Sequence, residues 1–70
     1  MRVENIFCFR LRQRRMQLGL KQPDVGARIG MSAATISSYE QGISFPPLDT
    51  VYRLAEALEV SFAWLVGLED

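Results

Sequence analysis

The chain has no histidine, a single cysteine at Cys8, and no long hydrophobic run; Ile6 to Phe9 and Phe62 to Val66 are the longest. Each shortage removes a class of protein. One cysteine and no histidine leave no internal disulfide, no Cys/His zinc site and no His-containing catalytic triad. No Gly-x4-Gly-Lys-Ser phosphate loop and no carboxylate cluster suited to metal chemistry is present, so an enzyme, a metal and a cofactor are not expected. A spanning helix needs about 20 apolar residues, which excludes a membrane segment of that kind. No small-molecule ligand is evident either. A lone cysteine without a secretory leader points to a reducing, cytoplasmic setting, with Cys8 read as a small buried hydrophobe.

Net charge is also absent, since 8 basic residues balance 8 acidic ones. The distribution is uneven, however. Arg2, Arg10, Arg12, Arg14, Arg15, Lys21 and Arg28 face only Glu4 and Asp24 in the first 28 positions. From Ile29 onward Arg53 alone opposes Glu40, Asp49, Glu56, Glu59, Glu69 and Asp70. Such a dipolar chain can turn a basic face to phosphates, and DNA affinity is expected to come largely from this arginine-rich half. The other reading is that Arg10 to Arg15 is the solvated side of a helix.

What is present is helical periodicity with clear punctuation. At 70 residues the chain is read as one small domain, which buries only about 60% of its unfolded surface and so relies on an efficient core. A first helix is expected over about Glu4 to Leu18, with Phe7, Leu11 and Leu18 on one stripe and Gly19 as its stop. A second runs over about Gln22 to Ile29, with Pro23 tolerated in its first turn and Gly30 ending it. A third starts behind the Ser32 cap and closes near Gln41 and Gly42. Pro46 and Pro47 hold the next loop open. A fourth, about Leu48 to Leu58, buries Val51, Leu54, Ala55 and Leu58, and a short fifth follows the Ser61 cap. The expected fold is all-α, a compact bundle of five short helices. Residues 22–42 read as a helix-turn-helix, with Val25, Ile29, Ile36 and Tyr39 on one buried seam.

Several linked motifs then carry a resemblance. They are Arg-x-x-x-Gly-Leu at Arg15 to Leu20, Gln22, Ile-Gly at 29 and 30, and Ser32-x-x-Thr35-Ile36-Ser37. Tyr39-Glu40-x-Gly42, Leu54-Ala55-x-Ala57-Leu58-x-Val60-Ser61 and Trp64-Leu65 complete the series. In this order and spacing the chain resembles the Cro/C1-type (Xre-like) helix-turn-helix family of lambdoid phage repressors, Cro proteins and bacterial regulators. The resemblance implies a lambda-repressor-like fold and sequence-specific binding of double-stranded DNA. It also implies a homodimer on an inverted repeat, its recognition helices roughly 34 Å apart, and transcriptional repression. The alternative is a protein-interaction or antitoxin-like module on the same fold.

Carried onto this sequence, the resemblance makes Gln22 a phosphate contact at a helix N-terminus, the other reading being a solvent-exposed glutamine. Lys21 stands where the family often has a capping Ser, Thr or Asn; it cannot cap, which weakens the helix start but places a cation near the backbone. Arg15 and Glu40 match a bridging pair, structural first, with Arg15 near a phosphate. Gly26 replaces a customary alanine and is read as sterically acceptable at a cost of up to roughly 1 kcal/mol. The groove-facing set is Ser32, Ala33, Ala34, Ser37 and Ser38, none of which makes a bidentate base contact, so direct readout is expected to be modest. Thr35 reads as a phosphate contact or a local cap, and Ser44 as a backbone contact in a loop without the usual cations. Phe45, Phe62 and Trp64 are a candidate dimer surface; Phe45 and Trp64 read equally as caps on the monomer core.

Overall fold

The structure, a computed structural model, describes residues 2–70. Its described residues form α1 (Val3–Gln17), α2 (Gln22–Ile29), α3 (Ala33–Gln41), α4 (Leu48–Ala57) and α5 (Phe62–Leu65), with no strand. The all-α expectation therefore holds, with α1 displaced by one residue and α4 ending one residue early because Leu18 and Leu58 act as C-caps. None of these helices is long and apolar enough to cross a membrane.

Several boundaries have a local cause. Ser32 accepts the Thr35 N–H at 3.1 Å and Ser61 accepts the Trp64 N–H at 2.9 Å, so both hydroxyls satisfy a donor that its helix cannot. The start of α2 departs from expectation in an instructive way. Lys21 contributes no side-chain cap, but the Asp24 carboxylate accepts the Lys21 N–H at 2.8 Å, so the missing capping residue is half replaced from inside the helix.

The turn between α2 and α3 depends on two glycines. Gly30 takes a left-handed φ of 73°, and the Met31 N–H reaches back to the Gly26 carbonyl at 2.8 Å. Gly26 is buried, and a Cβ there would lie 2.3 Å from the Met31 carbonyl oxygen. Glycine is thus sterically acceptable at position 26, as its place between the two helices suggests, and the chain returns so close over it that a Cβ would force the turn to shift.

The core gathers Phe7 and Leu11 from α1, Val25 and Ile29 from α2, and Ile36 and Tyr39 from α3. Val51, Leu54 and Ala55 of α4, with Leu58, Leu65 and Val66, close it. Phe7 meets Tyr39 edge-on, with ring centroids 6.5 Å apart, and this contact seats α3 against α1. α3 packs on α2 and α1, while α4 lies against α2 and α5. Cys8 is half-buried and not a core residue; its thiol donates to the Glu4 carbonyl one turn back.

The arginines are distributed unlike either sequence expectation. Arg14 donates to the Leu58 carbonyl at 2.9 Å, Arg28 to Ala57 at 2.7 Å and Arg53 to Ile29 at 2.6 Å. Arg10 donates to the Trp64 carbonyl and sits 4.9 Å over the Trp64 ring. All four accepting carbonyls lie at helix ends, where the backbone leaves unpaired acceptors and partial negative charge. Arg10, Arg14 and Arg28 are therefore ties between helices. This corrects the expectation that the basic first half acts mainly as a phosphate-facing surface. Among the described residues, only Arg2, Arg12 and Lys21 have cationic heads without a hydrogen-bonded partner in the chain.

Candidate nucleic-acid interface

Burial of Ile36 and Tyr39 fixes which side of α3 faces out. Residues spaced three and four apart share a helix face, so Ala34, Ser37 and Gln41 form the outward ridge, flanked by Ala33 and Ser38. Ala34 is exposed, Ala33, Ser37 and Ser38 are half-exposed, and Ser32 lies exposed just before the helix. Ala33, Ala34, Ser37 and Ser38 thus lie together on one side of α3, while Ser32 sits at the cap ahead of it. Thr35 is off this ridge, its hydroxyl 3.0 Å from the Ser32 hydroxyl at the cap.

Gln41 was missing from the sequence-derived set. It is exposed and donates to the Ser37 hydroxyl at 2.6 Å, extending the ridge by a turn with its only long polar side chain. Its spacing of four from Ser37 was a usable signal; its place beside the closing glycine obscured it.

Behind the ridge stands a linked set of side chains. The Arg15 Nε and Nη2 donate to the two Glu40 carboxylate oxygens at 2.6 and 3.0 Å, a bidentate fork. Arg15 Nη1 also donates to the Leu20 carbonyl at 2.9 Å. The Gln22 amide donates to Glu40 Oε1 at 3.3 Å, so one carboxylate joins the ends of α1, α2 and α3. The Arg15 and Glu40 side chains are 14% and 5% exposed, so both charges are largely out of water. The hydrogen bonds that the guanidinium donates to Glu40, opposed by burial and aided by the carboxylate charge, raise the Arg15 pKa above the usual arginine value. The stabilisation tied to the raised arginine value is whole throughout the neutral range and is lost as pH climbs through that value.

The remaining candidates fall elsewhere. Lys21 is exposed beside Gln22 at the start of α2, and Ser44 is exposed in the loop after α3. Phe45 lies against Phe7 with ring centroids 5.0 Å apart and is still 43% exposed. Phe45 and Phe62 border one apolar groove of about 250 Å³ between the start of α1, α4 and α5. Trp64 does not join them. It lines a different cleft under Arg10, so the three aromatics do not form one surface.

Comparison with known proteins matches this geometry. A family model described as Helix-turn-helix covers residues 11–65. The chain is 34% identical over 65 residues to the uncharacterized HTH-type transcriptional regulator YobD of Bacillus subtilis (strain 168), covering 93% of this chain and 58% of that one. It is 36% identical over 62 residues to the cryptic phage CTXphi transcriptional repressor RstR of Vibrio cholerae, covering 89% of this chain and 56% of that one. It thus spans little more than half the length of either relative. Among solved structures, the P22 c2 repressor protein, crystallised in complex with synthetic operator 9T, superposes with a TM-score of 0.84 at 28% identity. That superposition covers 90% of this chain and 96% of that one.

Proposed function

The chain belongs to the Cro/C1-type helix-turn-helix family of DNA-binding transcriptional regulators, and on that premise we propose that it is a phage- or prophage-type repressor reading an inverted-repeat operator as a homodimer. The observation that supports it best is the outward ridge of α3, backed by a helix cap at one end and by the Arg15–Glu40–Gln22 set at the other. A rigidly held, side-chain-poor helix can sit deep in a major groove.

In this reading Ser32, Ala33, Ala34, Ser37 and Ser38 face the bases. Alanines meet thymine methyls and serines meet any polar base edge, so specificity is drawn thinly from contacts and further from water and DNA shape. Gln22, Lys21 and Ser44 face phosphates, Gln22 with an amide already oriented by Glu40. Arg15 and Thr35 act on the backbone through the elements that they hold. The dimer contact uses the groove bordered by Phe45 and Phe62, since it is lined by apolar side chains alone.

Selection of bound DNA from a random library tests this. An enriched inverted repeat is the expected result. Binding without salt dependence, or none even at low ionic strength, would favour the protein-interaction module.

A further inference from the structure

Among the outward side chains of α3, only Gln41 is long enough to carry a planar amide away from the helix. It is exposed, whereas Ala34, Ser37 and Ser38 on the same ridge end close to the backbone. Its backbone is fixed on both sides. Glu40 is held by Arg15 and Gln22, and Gly42 closes the helix with a left-handed φ of 74°. The side chain is fixed as well, since its Nε2 donates to the Ser37 hydroxyl at 2.6 Å, one turn back.

That bond uses one amide hydrogen. The second N–H and the Oε1 oxygen have no partner among the described residues. A donor and an acceptor side by side on one amide are what adenine pairs with in the major groove. The N–H donates to N7 and the oxygen accepts from the N6 amino group. Ser37 thus takes up the hydrogen that this pairing leaves over. Gln41 lies two turns beyond Ala34, about 10 Å along the axis, so it addresses a different base pair. Its tether draws the amide back along the ridge and away from the loop that carries Ser44.

We infer that Gln41, aligned by Ser37, reads an adenine in each half-site of the operator. Gln41 touches the base, and Ser37 is a positioning residue. This rests on the proposal that the α3 ridge faces the major groove, and it adds one sharply read position to a face that otherwise selects weakly. Immobilising a long side chain on binding costs about two- to tenfold in affinity, a cost that the Ser37 bond lowers before DNA arrives.

Selection from a random DNA library, followed by competition binding on single-base variants, tests it. The parent should prefer adenine at one position of each half-site by about five- to a hundredfold. Gln41→Ala should lose that preference and leave the other positions as they were. Gln41→Arg offers donors alone, so the same position should turn to guanine, whose O6 and N7 both accept. Ser37→Ala should blunt the adenine preference about two- to tenfold, and Ser37→Thr, which keeps the hydroxyl, should retain it. Gln41 is exposed and Ser37 half-exposed, so folding is retained, and circular dichroism checks that. Preferences that survive Gln41→Ala, or changes at Gln41 that move affinity alike on every sequence as a phosphate contact would, overturn the inference and leave the repressor reading standing. An adenine preference indifferent to Ser37→Ala would overturn the part given to Ser37. A parent that selects no DNA would remove both readings.

Discussion

Glu40 is the residue on which most of the candidate interface turns. It accepts from Arg15 twice and from Gln22 once while only 5% exposed. Removing it strands a guanidinium that is 14% exposed, and breaking a buried pair in that way costs about 3 to 5 kcal/mol. Glu40→Ala should therefore lower the unfolding free energy by that amount, read from denaturant unfolding of the two proteins; a variant as stable as the parent would show the pair to be ornamental. Gly26 makes a second residue-scale prediction. Alanine would gain helix propensity but place its Cβ 2.3 Å from the Met31 oxygen, a contact that the turn must open to relieve. Overpacking of this kind costs about 1 to 3 kcal/mol, so Gly26→Ala should destabilise despite its better propensity. Thermal melting of the two proteins checks the sign. The pattern of the chain could place Gly26 between two helices. It could not show how near the Met31 carbonyl returns, because that distance belongs to the turn and to no local rule.

At the scale of elements, α2 and α3 were the most legible parts of the chain. Ser32 and Gly42 bracket α3 by local chemistry, and Ile36 and Tyr39 define its buried side by spacing. The outward ridge then follows with no tertiary information. The arginines were illegible for the opposite reason. Arg14 reaches Leu58 and Arg28 reaches Ala57 across separations of 44 and 29 residues, and which carbonyl lies within reach is decided only once the helices pack. Element by element, binding should divide in two. Ala34→Gln adds a bidentate adenine reader to the ridge of α3 and should gain about 1 to 3 kcal/mol of discrimination at one base position. Gln22→Ala removes a donor at the start of α2 and should weaken every sequence alike, which competition binding against a panel of single-base variants would separate. A Gln22→Ala effect confined to one base position would contradict its phosphate role.

For the molecule as a whole, the balanced net charge hides a division of labour. Basic residues of the first half tie helix ends together, and few cations remain to meet phosphates. DNA affinity should accordingly fall with salt, though along a shallow slope for a regulator of this size, since each neutralised phosphate adds about 0.9 to the log–log slope. The five helices and their order were readable because Ser32, Ser61, the prolines and the closing glycines mark most boundaries locally, while the commitment of the arginines and the splitting of Trp64 from Phe45 and Phe62 arise only from packing.

The outward ridge of α3 as the DNA-reading surface is tested most directly by Ala34→Glu, measured as DNA affinity across a salt series beside the parent. Ala34 is exposed in the first turn of α3, where a carboxylate favours the helix, so the fold survives and only the face changes. The parent should bind its selected inverted repeat with salt-dependent affinity, and Ala34→Glu should abolish that binding on every sequence. Undiminished binding by Ala34→Glu would mean that this ridge does not enter the groove.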